Sequence, residues 1–289
     1  MKTPLKFAAA LCASAALFVS CKSQPEQQEG NFADNLKLSE YRPVSVFKTP
    51  QSDIRQASFP VIDIHSHAYV EDVEGLQQWV KDMDENNVEK VIIQTKAYGE
   101  EFDRLYDLYK GVSDRFELWC GIDMSSWGTP DFPAKAIEEL ERCWRKGAKG
   151  VGEITANLWA DDPMMDNLFT HCEACGLPVL FHISPAPGIN YGIADDPGLP
   201  RIEKMLKKHP DLKILGHSQP FWSEIGDNVT EENRNKYVTG KVKPGRLISL
   251  LREYPGLLCD LSAGSGANAL MRDRDFTARF IEEFADRLF

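Results

Sequence analysis

The chain has 289 residues, of which 43% are hydrophobic and 27% are charged, and its formal net charge is −11. This balance is that of an ordinary globular protein with enough apolar material for a sizeable core. The excess of acid argues against a nucleic-acid partner, because nucleic-acid-binding proteins present a basic face. It equally disfavours electrostatic attachment to anionic lipid.

The first residues are typical of a bacterial export signal. Lys2 and Lys6 precede the apolar stretch FAAALCASAALFVS, which ends at Cys21. A charged start, a short apolar run and small residues before a cysteine favour a lipoprotein signal over a spanning helix. We therefore predict a signal peptide over residues 1–21, with a lipid anchor on Cys21 as the only membrane attachment and the cell envelope as the location. A plain secretory signal is the alternative. Residues 22–58 are polar and contain prolines, which predicts a tether.

The five cysteines that follow the signal are irregularly spaced and odd in number. This pattern indicates no disulfide framework. Cys172 and Cys175 form a CxxC motif inside a predicted helix. We interpret them as small helical residues rather than as a redox or zinc site.

From residue 60 onward, short apolar runs alternate with amphipathic stretches. The predicted helices include Glu74–Asn86, Asp131–Lys146 and Phe276–Asp286. The seven predicted strands are Val61–Ile64, Lys90–Gln94, Phe116–Ile122, Lys149–Gly152, Pro178–Phe181, Lys213–Leu215 and Leu257–Leu261. Such alternation predicts parallel strands joined by crossover helices.

Two architectures fit this alternation, an open doubly wound sheet and a closed barrel. No GxGxxG motif follows the first strand, so a dinucleotide-binding sheet loses support. The strand count favours a TIM-like (β/α)8 barrel over residues 59–289 that is incomplete at its last strand–helix unit. Residues 287–289 would then be the entry into an eighth strand, and the outer edge of the seventh strand would be unpaired.

Chemically active side chains follow the predicted strands at one end. His65 and His67 come after the first strand, Glu153 after the fourth, His182 after the fifth and His217 after the sixth. The carboxyl ends of barrel strands form one rim, and active sites are built there. The sequence therefore predicts that these five side chains share a site.

The spacing of the first two histidines supplies a chemical reason. Residues two apart in a strand project to the same face, so His65 and His67 would aim at one point. Imidazole suits zinc and related divalent metals, and we predict a divalent cofactor, with zinc as the first choice. Asp63 shares that face, either as a hydrogen-bond partner of a histidine or as a strand-opening residue. His171 and His209 are predicted on helix surfaces.

Five motifs carry a family resemblance in this order: DIHSH, KGVGEI, LPVLFH, ILGH and LLCDLSA. Together they resemble the metal-dependent amidohydrolase superfamily, in particular the amidohydrolase-related branch that includes decarboxylases of the aminocarboxymuconate-semialdehyde type. The resemblance covers the whole predicted barrel. It implies that His65, His67 and His182 are metal ligands, that Glu153 occupies the position of a ligand acid, and that His217 is the catalytic histidine.

The resemblance also implies an aspartate after the eighth strand. Its position would fall a few residues past Phe289, so we expect a chain truncated before that strand, which as written lacks one metal ligand and the general acid/base partner. Asp260, at the end of the seventh predicted strand, is interpreted as a structural residue rather than as a substitute.

The implied activity is hydrolysis of a small carbonyl or carboxylate substrate through a metal-activated water. The alternatives are a decarboxylase of the same family, a TatD-like or PHP-like phosphoesterase, and a non-catalytic surface lipoprotein. The substrate and the oligomeric state stay open. Four aromatic residues on loops at the rim would suit a flat substrate: Trp127, Trp159, Phe221 and Trp222.

Overall fold

The computed structural model describes residues 35–48 and 52–289. The predicted signal peptide with Cys21 and part of the predicted tether lie outside the described residues. The chain divides into two compact units, residues 1–53 and 54–289. In the first unit, Leu38–Glu40 form one turn of 3-10 helix. No helix within the described ranges is long and apolar enough to cross a bilayer.

The second unit consists of parallel strands that alternate with helices, as the sequence predicts. The strands are β1 Val61–Ser66, β2 Val88–Gln94, β3 Phe116–Trp119, β4 Val151–Ile154, β5 Val179–Ser184, β6 Ile193–Ala194, β7 Ile214–His217 and β8 Leu257–Cys259. The helices are α1 Val73–Asn86, α2 Gly99–Val112, α3 Phe132–Lys146, α4 Pro163–Cys175, α5 Pro200–Lys208, α6 Gln219–Ser223, α7 Arg246–Glu253, α8 Ala263–Met271 and α9 Arg274–Phe284.

The strands follow one another in the order of a TIM-like barrel. One sheet has the order β1-β2-β3 and the other β4-β5-β7-β8, with every pairing parallel. Cys120, just after β3, bridges Val151 of β4 and so links the two sheets. The two-residue strand β6 pairs with the end of β5, bridges Trp159 through Ala194 and lies off the main sheet path, so the sixth and seventh predicted strands are β7 and β8.

The predicted free edge of the seventh strand was wrong. Leu288 bridges Cys259 in parallel, and the Phe289 N–H donates to the Cys259 carbonyl at 2.9 Å, so residues 288–289 cover the edge of β8. Over the described residues, β1 pairs with β2 alone. Val61 and Ile62 are accordingly 41% and 51% exposed. The barrel is thus incomplete between β8 and β1.

A layer of apolar side chains from four strands fills the barrel interior. Ile64 of β1, Trp119 of β3, Leu180 of β5 and Leu215 of β7 form one buried cluster. In a complete barrel such a layer comes from alternate strands, whereas here β5 and β7 are direct neighbours. Burying each such side chain stabilises the fold by roughly 1.5–3 kcal/mol. The layer closes the barrel below the rim and provides a floor for what lies above it.

The helices cover the outside of the strands with their apolar faces. In α1, Leu76 and Met83 are buried while the polar face is exposed, and Asp72 caps the helix by accepting from the Gly75 N–H. Helix α3 ends at Gly147, whose φ of 130° is a conformation that favours glycine. This packing holds the strands rigidly, so the residues at their carboxyl ends keep fixed positions.

Candidate metal centre

Four histidines meet at the carboxyl-terminal rim of the barrel. The ring centroids of His65 and His67 are 5.1 Å apart, those of His65 and His217 are 4.7 Å apart, and those of His182 and His217 are 5.3 Å apart. Residues far apart in the chain therefore converge within the reach of one ligand. We call these four residues, together with Glu153 and Asp260, the histidine cluster.

The apolar floor explains why two of these rings point inward. His182 lies two residues beyond Leu180 in β5, and His217 lies two residues beyond Leu215 in β7. Because side chains in a strand alternate between faces, each histidine stands directly above an interior leucine. Strand β1 differs, since it has a register shift between Asp63 and Ser66.

Glu153 lies at the end of β4 and contacts three side chains. One carboxylate oxygen is 2.8 Å from Nδ1 of His182, and the other is 2.9 Å from Nζ of Lys96 and 3.9 Å from Nε2 of His67. Burial alone would raise the pKa of Glu153, but the hydrogen bonds from His182 and Lys96 outweigh it and lower this pKa to about 2. Glu153 is therefore a carboxylate at any physiological pH.

Asp260 directly follows β8 and is fully buried. Its Oδ2 lies 2.5 Å from Nδ1 of His65 and 3.0 Å from Nδ1 of His217, and it accepts from the Ser262 hydroxyl at 2.8 Å. Burial raises the pKa of Asp260, but hydrogen bonds from His217 and His65 dominate and hold it well below its usual range. The sequence interpretation as a structural residue missed this contact with two histidines. Its place at a strand end, like that of Glu153, was the available signal.

All four rings have an acceptor at Nδ1. His65 and His217 share Asp260, His182 has Glu153, and Nδ1 of His67 lies 2.8 Å from the Gln94 carbonyl. A ring that donates through Nδ1 carries its lone pair on Nε2, which is the arrangement found in metal-binding histidines. Burial also lowers the pKa of His67, which favours its neutral form.

The donor atoms fit a divalent cation. Three sets of side chains each offer ligand atoms within 4.8 Å of one another. The sets are His65–His217–Asp260, His65–His67–Glu153 and Glu153–His182–His217. Mixed imidazole nitrogen and carboxylate oxygen suits zinc, manganese and similar ions. All five residues predicted from the sequence belong to these sets, and Asp260 is an addition.

Lys96 and Tyr191 line the approach to the cluster and were not predicted. Nζ of Lys96 lies 5.5 Å from the Tyr191 ring centroid, and the Tyr191 ring lies 4.1 Å from that of His182. Lys96 also lines a cleft of about 460 Å³ that His67 borders. The signal for Lys96 was its position, two residues after the end of β2.

Two of the four predicted rim aromatics were placed wrongly. Phe221 and Trp222 are 0% and 2% exposed and belong to the main hydrophobic core. Trp127 is 43% exposed, and Trp159 is half-buried with the Arg201 guanidinium 4.1 Å from its ring centroid. A short helix, α6, turns the polar-looking loop after β7 inward, which the residue pattern did not indicate.

Three further predictions concern polar residues near or outside the cluster. His209 is buried between Asp166 and Glu173, so its predicted place on a helix surface was wrong. His171, on α4, is half-buried. Asp63 is exposed and accepts from the backbone N–H of His65 at 3.0 Å rather than from its ring. The sulfur atoms of the CxxC motif are free thiols, one buried and one half-buried.

Three solved structures illustrate the similarity to other proteins. A 5-carboxyvanillate decarboxylase from Sphingomonas paucimobilis is 17% identical, with 80% of this chain and 88% of that chain covered at a TM-score of 0.47. A dihydroxybenzoic acid decarboxylase from Polaromonas sp. JS666, with bound manganese and 2-nitroresorcinol, is 16% identical, with 80% and 85% covered at a TM-score of 0.46. A 4-oxalomesaconate hydratase from Rhodopseudomonas palustris is 14% identical, with 79% and 80% covered at a TM-score of 0.47.

A search of functionally curated proteins gives no match. The model of the amidohydrolase family matches residues 124–289, which is more than half of the chain. The matched segment contains Glu153, His182, His217 and Asp260, and β1 adds the remaining two histidines to the same rim. The chain belongs to the amidohydrolase family.

Proposed function

We propose that this protein is a metal-dependent hydrolase that acts on a small carbonyl or carboxylate substrate through an activated water. The observation that carries the proposal is the histidine cluster itself. Four imidazoles at one rim each have an oxygen atom within hydrogen-bond distance of Nδ1, which leaves Nε2 to face a ligand. A structural role does not require this common orientation.

The residues that would hold the cation are His65, His67, Glu153 and His182, and zinc is the first choice among the ions that suit them. When bound, a divalent cation supplies Lewis-acid chemistry, because it lowers the pKa of water and polarises a carbonyl or carboxylate oxygen. Glu153 contributes negative charge that favours a cation, and its hydrogen bond to His182 keeps that ring oriented.

His217 is the residue proposed to move protons. Its Nδ1 is 3.0 Å from Asp260, so Nε2 is left to accept a proton from water or to protonate a leaving group. The buried Asp260 carboxylate would stabilise the ring while it holds that proton. Asp260 is thus a positioning residue for His65 and His217, and Ser262 fixes Asp260 in turn.

Decarboxylation is a second candidate, which Lys96 favours. Its ammonium lies 2.9 Å from Glu153 at the mouth of the site, and its side chain is 42% exposed. A cation in this place suits a substrate that carries a carboxylate. In that reaction the bond to the carboxylate breaks, carbon dioxide leaves, and His217 delivers the proton to carbon.

Export and lipid anchoring at Cys21 are proposed from the sequence alone, with a small molecule as the partner. Labelling of the full-length protein with a radioactive or clickable fatty acid in bacterial cells tests the anchor. Loss of label in Cys21→Ser supports it, and equal label in the variant contradicts it.

The main test measures metal content and turnover on the same samples. We expect purified protein to hold metal in a fixed stoichiometry by mass spectrometry of the elements, and to hydrolyse members of an ester, amide and lactone panel. His217→Asn should keep the metal and lose turnover. The matched control is His171→Asn, a histidine on α4 outside the cluster.

Each alternative gives a different outcome. Turnover of carboxylated aromatic acids with release of carbon dioxide would select the decarboxylase. Hydrolysis of bis(p-nitrophenyl) phosphate, with no activity on the other substrates, would select a phosphoesterase. Absence of stoichiometric metal would select a non-catalytic binding protein. Full turnover in His217→Asn would remove His217 from the mechanism.

A further inference from the structure

A second polar cleft lies beside the helices that follow β7 and β8. It is a half-open depression between α6, α8 and the segment 236–238, with a cavity volume of about 10 Å³. The polar residues that line it are Gln219, Ser223, Lys236, Tyr237, Ser265, Asn268 and Arg272. No aspartate or glutamate lines this cleft, although acids outnumber bases 44 to 33 in the chain. We call it the Arg272 cleft.

Arg272 is half-buried, and none of the residues described forms an ion pair with it. Its Nε is buried without a hydrogen-bond partner, and Nη2 has one long contact of 3.5 Å to the Asn228 side chain. Burial lowers the pKa of Arg272, with no carboxylate to offset it. An arginine in this state is costly, because its charge is desolvated without compensation.

Other arginines of the protein show what is missing. Arg142 donates to both oxygens of Asp103 at 2.8 Å and to Glu139, and these carboxylates raise its pKa. The Nε and Nη2 edge of a guanidinium matches the two oxygens of a carboxylate. In Arg272 this edge lacks such a partner within the described part of the chain.

Ser265 provides an independent observation. It is 5% exposed, and its hydroxyl is buried and has no hydrogen-bond partner among the described residues. It lines the same cleft as Arg272. Buried hydroxyls normally have a partner. Lys236, which is exposed, adds a second positive charge at the edge of the cleft. A bound water would satisfy the hydrogen bonds of Ser265 and Arg272 but would leave the positive charge of Arg272 without a counterion.

We propose that the Arg272 cleft binds the carboxylate group of a small molecule, with Arg272 as the bidentate partner and Ser265 as a further donor. The site is separate from the proposed hydrolase chemistry, because no proposed metal ligand lines it. It is nevertheless adjacent in structure. Trp222 lines the cleft, and its indole N–H donates to the Asp260 carbonyl at 2.9 Å.

The test uses the full chain and isothermal titration calorimetry with sodium acetate, and acetamide as the neutral probe of the same shape. Acetate should bind and acetamide should not. In Arg272→Met the acetate affinity should fall at least about tenfold, since a charge-assisted pair contributes about 1.5–3 kcal/mol. Arg272→Lys should retain part of the affinity. The matched control is Arg274→Met, an exposed arginine two residues away that does not line the cleft.

The experiment is repeated after metal removal by a chelator, because a carboxylate could also bind at the metal centre. Binding that persists without metal and disappears in Arg272→Met supports the cleft. Equal acetate affinity in wild type and Arg272→Met would overturn the proposal, as would equal binding of acetamide. If Arg272→Met does not fold by circular dichroism, Ser265→Ala serves instead, and an unchanged acetate affinity in that variant counts against the site.

Discussion

The histidine cluster and the Arg272 cleft are both polar, but their donors and acceptors are balanced in opposite ways. The cluster contains two buried carboxylates and four rings whose Nδ1 atoms are all engaged. The cleft contains donors and positive charge, with no carboxylate in its lining. The histidine cluster presents lone pairs, whereas the Arg272 cleft presents the unpaired N–H of Arg272 and the unpaired O–H of Ser265.

This difference identifies the ligand class before any ligand is known. Nitrogen and oxygen lone pairs that converge beside carboxylates bind a cation. Buried hydrogen-bond donors beside a guanidinium or an ammonium group bind an anion. Burial makes both statements stronger, because unpaired polar groups cost more away from water. The following variants test each half of the comparison.

The largest effect is expected for Asp260→Asn. The amide cannot accept equally from His65 and His217, so both rings lose their fixed orientation. We expect turnover to fall at least about a hundredfold, with weaker metal binding. Steady-state kinetics and metal analysis check this. The control is Asp161→Asn, whose partners Arg201 and Lys204 lie outside the cluster. Wild-type turnover in Asp260→Asn would show that the cluster does not depend on this carboxylate.

Glu153→Gln is expected to change the acid stability of the metal-free protein. The pKa of Glu153 is lowered from 4.5 to about 2, so the folded state binds its proton less readily than the unfolded state. The stabilisation is complete above pH 4.5 and is lost as the pH falls from 4.5 to 2. It amounts to about 3 kcal/mol by linkage. Urea unfolding from pH 7 to pH 2 should show a shallower decline in the variant. An identical decline would contradict this role of Glu153.

Arg272→Met is expected to leave stability unchanged or to raise it by about 1 kcal/mol in the absence of carboxylates, because it removes a desolvated charge that has no counterion. Arg142→Met is the matched variant, and it should destabilise by about 1 kcal/mol because Asp103 and Glu139 lose their partner. Urea midpoints of both variants give the comparison. A large destabilisation by Arg272→Met alone would mean that its charge is already compensated.

The smallest effect is expected for Trp222→Phe, which tests the link between the two sites. The variant keeps most of the buried ring but loses the hydrogen bond to the Asp260 carbonyl at 2.9 Å. We expect a loss of about 1 kcal/mol in the free energy of unfolding. Metal affinity should change by less than about tenfold. A larger loss of metal than in Asp260→Asn would place Trp222 closer to the chemistry than its contacts indicate.

Most of the fold was predictable because its signals are local. Apolar runs of strand length recur between amphipathic stretches, and β4, β5 and β7 are buried throughout, whereas Val61 and Ile62 of β1 are exposed. Strand ends were less well predicted. His65, His182 and His217 lie within the last residues of β1, β5 and β7 rather than after them. Because histidine is polar, each strand was predicted to end before its histidine. In the structure the backbone pairing continues through these residues.

The errors share one physical cause. His209 was assigned to a surface, and Phe221 and Trp222 to a rim. Each assignment used the residue and its immediate neighbours. Burial and partners depend on segments distant in sequence, such as Asp166 for His209 and His65 for Asp260. Arg272 gave no sequence signal at all, because a missing partner is visible only when all neighbours are in place.

The sequence by itself determined the parallel α/β architecture and the positions of five site residues at strand ends. It did so because two features can be read from short segments. One is the alternation of side chains along a strand, and the other is the common rim at which parallel strands end. The tertiary structure alone decided that Asp260 orients two histidines, that Lys96 lies against Glu153, and that the Arg272 cleft lacks a carboxylate. These are contacts between residues up to 195 positions apart, and their energies depend on burial and charge that no single segment contains.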